Sequence, residues 1–99
     1  MPDELLAPIY LEQLNTKFRV ELESANVLEL ELTKVEEAVT PPDYEQFSLM
    51  FRGTLETPLG QGTYRMEHEK LEASDVFLVP VAKETDGFYY QACFSRSLR

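Results

Sequence analysis

Between Tyr44 and His68 the chain alternates apolar and polar residues twice, with a cluster of turn-forming residues in the middle. Phe47, Leu49 and Phe51 alternate with Ser48, Met50 and Arg52, the period of a strand with one buried face. Gly53, Pro58, Gly60 and Gly62 follow, and such punctuation marks a turn-rich connection. The alternation resumes with Tyr64, Met66 and His68 on one face and Thr63, Arg65 and Glu67 on the other. The connection is too short for a helical crossover, so these two strands are expected to pair antiparallel.

The flanking segments repeat the pattern. Phe18, Val20 and Leu22 alternate within Lys17 to Glu23, and Leu28, Leu30 and Leu32 alternate within Val27 to Val35. A three-residue turn at Ser24, Ala25 and Asn26 would set Val20 opposite Leu30 and Phe18 opposite Leu32. On the other face this register opposes Arg19 to Glu31 and Glu21 to Glu29. The phase slips near Lys34 and Val35, where a bulge or strand end is expected. Val39 to Asp43, with Pro41 and Pro42, reads as a loop, and Leu71 to Ser74 as a connection. Asp86-Gly87 marks a last hairpin, which leads into Phe88, Tyr90, Ala92 and Phe94. Ahead of the strands, Pro8 suits a first helical position, and Ile9, Tyr10, Leu11 and Leu14 give a short helix an apolar face.

The resulting fold class is all-β with one short N-terminal helix: a six-stranded antiparallel meander closed into a small barrel or a two-layer sandwich. Residues 1–99 form a single domain, with 1–7 flexible, 8–15 the helix and 17–95 the β-domain.

Composition excludes several classes of function. The chain carries 18 acidic and 9 basic residues, a net charge of −9. Nucleic acids and anionic membranes are therefore unsuitable partners, because both are held by Lys and Arg. No apolar run approaches the roughly 20 residues of a membrane span, and MPDELLAPIY lacks the pattern of a secretory signal. The single cysteine, Cys93, permits no internal disulfide, and a cytoplasmic setting is the expectation.

Few residues invite chemistry. His68 is the only histidine and falls in phase with inward positions, where a hydrogen-bonded core role is expected. Glu67 and Glu69 point to the other face, so no metal set forms around it. Cys93, between Ala92 and Phe94, lacks the electropositive surroundings of a reactive thiol, and no serine sits in a nucleophile elbow. Arg52 and Arg65 are expected to pair with Glu67 or Glu45. No catalytic, cofactor-binding or metal-binding residue is assigned, and no enzyme activity is expected.

One strand departs from alternation. Val76 to Ala82 is apolar on both faces, and Pro80 calls for an edge or a bulge. A tight turn at Gly87 sets Phe77, Val79 and Val81 on the core face with Tyr90. Val76, Leu78 and Pro80 then need cover, from the helix Ile9 to Leu14 or from a second chain. With Tyr89 and Gln91 on the same outer face, these five residues form the candidate interface. The partner is another protein chain, either a second copy in a homodimer or a different protein.

The runs QFSLMFRG, LGQGTYRMEHEKL, VFLVPV and YYQACFSR together resemble an uncharacterised family of small bacterial proteins, a domain of unknown function. The resemblance covers about Leu11 to Arg96. It implies a glycine after the Leu of the EHEKL segment, where this chain has Glu72. It brings no activity and no catalytic residue. It does imply an association with phage-tail-collar-like proteins, and hence an assembly role. The expected function is a non-catalytic interaction or assembly module. The alternative is a small-ligand-binding barrel, with Tyr64, Tyr90 and His68 as polar handles.

Overall fold

The computed structural model describes residues 6–22 and 26–97. Residues 1–5 of the expected flexible start (1–7) and most of the Ser24–Asn26 turn lie outside these residues, whereas Ala7 is buried as the first residue of the helix. Helix α1 spans Ala7–Leu11, and the strands are β1 (Lys17–Glu21), β2 (Val27–Glu37), β3 (Tyr44–Gly53), β4 (Gly62–His68), β5 (Leu71–Glu84) and β6 (Gly87–Ser97). All pairings are antiparallel, and the sheet closes on itself in the order β1-β2-β3-β6-β5-β4. Closure removes free edges around most of the ring and turns one face of every strand inward.

Consecutive strands are neighbours except at one place. β3 does not pair with β4; it pairs with β2 and β6, while β4 pairs with β5 and closes the ring against β1 through Arg19↔Glu67 and Val20↔Met66. The expectation of a β3–β4 hairpin is thus corrected. The connection between Gly53 and Gly62 is long enough to pass over one end of the barrel. There Leu59 is buried, and its N–H donates to the hydroxyl of the fully buried Tyr90 at 2.9 Å.

The β1–β2 register is also corrected, by two residues. Phe18 faces Leu30, Val20 faces Leu28 and Arg19 faces Glu29. Side chains alternate with a period of two, so a slip of two leaves the same residues inside. The opposition of Glu21 to Glu29 disappears, because Glu21 lies opposite Val27. The expected slip in β2 is a bulge between Leu32 and Lys34, and the hydroxyl of the extra residue, Thr33, donates to the Met50 carbonyl at 3.1 Å. Leu71 to Ser74 is not a connection but the start of β5, joined to β4 by the two-residue turn Glu69-Lys70.

The largest correction concerns β5. Val76 and Leu78 are core residues, 4% and 0% exposed, whereas Phe77 and Val81 are 51% and 47% exposed. The cause is a bulge between Pro80 and Ala82. Pro80 lies opposite Tyr90 and Ala82 opposite Tyr89, which leaves Val81 unopposed. One inserted residue exchanges the two faces of everything upstream of it. Pro80, which has no N–H to give the ladder, sits beside the irregularity that makes it tolerable there.

Candidate functional site

The barrel interior is filled. Leu30, Leu32, Leu49, Phe51, Leu78 and Tyr90 are almost wholly buried. The enclosed space lined by Tyr10, Phe18, Phe51, Met66 and His68 amounts to about 10 Å³, no more than one water would need. The three expected ligand handles are all engaged by the protein itself. The Tyr64 hydroxyl donates to the Gly60 carbonyl at 2.6 Å, and Tyr90 accepts from Leu59.

His68 is bonded on both ring nitrogens. Nδ1 accepts from the Lys70 N–H at 3.0 Å. Nε2 lies 2.9 Å from the Thr16 hydroxyl, which itself donates to the Gln13 carbonyl at 2.6 Å. With its only proton committed to Gln13, the hydroxyl can only accept from the ring. These roles fix the neutral Nε2–H tautomer. The ring packs 4.5 Å from that of Phe18, and burial holds its pKa below the ordinary 6.5, Glu69 opposing and Arg19 assisting. His68 is therefore a satisfied core histidine. Cys93 is exposed on the outside of β6, so the two lie on opposite faces of the barrel wall and form no nucleophile–base pair. Among the described residues no cluster of His, Cys, Asp or Glu is arranged to hold a metal. None of their helices is long and apolar enough to cross a membrane.

The end of the barrel bearing α1 is built by side chains distant in sequence. Glu45 precedes Phe47 in phase and is buried. One carboxylate oxygen accepts from the N–H groups of Leu6 and Ala7, both at 2.9 Å, and the other from the Arg96 guanidinium at 2.9 Å. Burial alone would raise this carboxyl; the Ala7 amide, Arg96 and the Leu6 amide together outweigh it and hold it below 4.5. The helix has no cap of its own, and this borrowed carboxylate supplies the missing acceptor. Tyr10 then packs 6.2, 6.0 and 5.8 Å from the rings of Phe18, Phe47 and Phe94. Burial raises the Tyr10 hydroxyl pKa, against a hydrogen bond to Ser74. The helix ends in a turn where Asn15, with φ of 67°, takes the left-handed conformation.

The outer wall holds the exposed apolar residues. Phe77 and Val81 stand on the outside of β5 with the half-exposed Val79 between them. Val79 faces Gln91 on β6, and Gln91 faces Met50 on β3, so the row continues across three strands. Met50, Val81, Ala82 and Tyr89 line a shallow groove of about 610 Å³ that runs to the Thr85-Asp86 turn. Tyr89 is held by its hydroxyl bond to Asp86 at 2.9 Å, and Arg52 joins Asp86 at 3.2 Å to Glu31. The Tyr89 hydroxyl first, and Arg52 with it, lower the Asp86 pKa.

Of the five expected interface residues, Tyr89 and Gln91 thus lie on the outer wall and Val76 and Leu78 lie inside, while Pro80, opposite the buried Tyr90, shares the face of Val76 and Leu78 and is exposed. The expected partners of the arginines are corrected too: Arg52 pairs with Glu31 and Asp86, Arg65 with Asp75, while Arg19 reaches Glu67. Sequence reasoning gave Glu45 only a surface pairing with Arg52 or Arg65 and missed its burial, although a charged residue in phase with Phe47, Leu49 and Phe51 was the signal.

A family model covers residues 10–94 of this chain. The chain belongs to the Domain of unknown function DUF6916. No curated protein and no solved structure matches it. Membership agrees with the resemblance in the strand motifs and assigns no reaction to any of them.

Proposed function

We propose that the chain is a non-catalytic interaction module that docks onto another protein through the outer wall of β5 and β6. The observation that carries this reading is the apolar row Phe77, Val79 and Val81, continued by Met50 across Gln91. Two large apolar side chains half exposed on one strand, beside an oriented tyrosine, have the character of a contact surface. The phage-tail-collar-like proteins associated with the family that the motifs resemble are the first partners to try, as components of an assembly. The ligand-binding alternative finds no support inside the barrel, where the space is that of one water and the polar handles are already engaged.

Light scattering over a concentration series tests the self-association arm. The doubly substituted Phe77→Glu, Val81→Glu chain is the informative comparison, because both sites are exposed and the fold should tolerate it. Leu78→Glu serves as the control that unfolds, since it puts a charge into the core. Bait experiments in extract of the source cell test the hetero arm. A partner retained by the parent and lost by the double variant supports the reading. A monomeric parent that retains the same proteins as the double variant would sink it.

A further inference from the structure

β5 and β6 are joined only near their hairpin, from Glu84↔Gly87 to Val79↔Gln91. Beyond that point they diverge: β6 continues along β3 to Ser97, and β5 continues along β4 back to Leu71. Between Leu71 and Leu78, β5 therefore has a neighbouring strand on one edge and none on the other among the described residues. Tyr10 of α1 spans the opening, with its ring against Phe94 and its hydroxyl bonded to Ser74. Beside it remains a groove of about 800 Å³.

The lining of this groove includes every residue from Leu71 to Asp75. Alternate residues of a strand point to opposite faces, so consecutive residues can share one groove only if the strand presents its edge. The groove thus exposes about 17 Å of strand edge, five residues long. Its apolar floor comes from Ile9, Leu71 and Phe94. On its rim Glu12 and Glu72 are exposed and enter no ion pair among the described residues, whereas Asp75 is paired with Arg65. Among the described residues Lys70 is the one cation lining it.

We propose that this groove binds an extended segment of a partner protein, added as a strand along Leu71–Asp75, with apolar side chains toward Ile9, Leu71 and Phe94 and basic side chains opposite Glu12 and Glu72. A strand edge supplies backbone donors and acceptors at the spacing another strand requires, which gives affinity without sequence preference. Charge selects among occupants. A second copy would bring another net charge of −9 to an acidic rim, so the occupant is a basic segment of a different protein. This site is separate from the outer wall of the proposed function, and either can fail alone.

The test is an amide-resolved NMR titration of the full chain with synthetic, end-blocked heptapeptides: alternating lysine and valine, alternating glutamate and valine, and the lysine peptide N-methylated at alternate residues. The lysine peptide is expected to shift the amides of Leu71–Asp75 and slow their exchange. The N-methylated and glutamate peptides are expected to bind at least about tenfold more weakly, and Glu12→Lys with Glu72→Lys to weaken the lysine peptide by about tenfold. Phe77→Glu with Val81→Glu should leave this binding unchanged, which separates the groove from the outer wall. Absence of shifts at millimolar lysine peptide overturns the proposal. So do shifts centred on Phe77 and Val81, or equal binding of the N-methylated peptide.

Discussion

The two ends of the barrel are closed by different means. At one end the closure is backbone against backbone. Gly53 lies opposite Phe88 in the β3–β6 ladder, and a Cβ on Gly87 would sit 2.3 Å from the Gly53 carbonyl oxygen. Leu59 caps this end through one hydrogen bond to a buried tyrosine. At the other end the closure is by side chains: the Glu45 carboxylate holds the start of α1, Tyr10 plugs the aromatic cluster, and His68 ties β4 to the residues after the helix. The first end excludes substitutions by steric contact. The second is held by titratable groups and keeps an open groove beside it. A stiff end anchors the ring, while the end joined by polar side chains is where a partner strand could enter.

Breaking the stiff end should have the largest effect. Gly87 has φ of +149°, and its Cβ position is filled by the Gly53 carbonyl, so Gly87→Ala is expected to cost more than about 3 kcal/mol in urea denaturation. A loss below about 1 kcal/mol would mean the two ends do not differ in this way. At the helix end, Glu45→Ala leaves the Leu6 and Ala7 amides without their acceptor and removes one partner of Arg96. It should cost about 3 kcal/mol, and amide exchange should rise in α1 before it rises in β3. Simultaneous loss of protection throughout the barrel would show that the helix is not a separable unit. Tyr90→Phe removes the acceptor for the buried Leu59 N–H and should cost about 1–2 kcal/mol without altering α1.

The smallest effect sharpens the comparison by pH. The His68 pKa is lowered by folding, so the unfolded chain takes up the proton first. Stability is therefore full above 6.5 and declines as pH falls through 6.5 toward the folded value. His68 is the only histidine, so His68→Gln should abolish this step, as followed by urea midpoints at pH 7.5 and 5.5. Glu45, also lowered, contributes stability that is present above 4.5 and lost as pH falls through its folded value. Both steps belong to the α1 end. A variant chain with Gly87 intact but Glu45 and His68 replaced should keep the ring and lose most of the acid sensitivity that these two groups cause.

The alternation of Phe18 and Val20, of Leu30 and Leu32, and of Phe47, Leu49 and Phe51 was enough to define strands and inward faces. Those assignments survive even a register slip of two, because the pleat repeats every two residues. His68 was legible as a core histidine for the same reason, and Asp86-Gly87 marked its hairpin. β5 was not legible, because it is apolar on both faces and the facing depends on whether Val81 is counted into the ladder. No local signal decides that; the pairing with Tyr89 and Tyr90 does. Strand order was likewise hidden. The eight residues between β3 and β4 permit a hairpin or a pass across the barrel end, and burial of Leu59 under Tyr90 selects the second. Local periodicity, set by chain stereochemistry, thus determined which residues face inward over most of the sheet. Neighbours, closure and the open seam beside α1 were decided only when distant segments competed for the same partners.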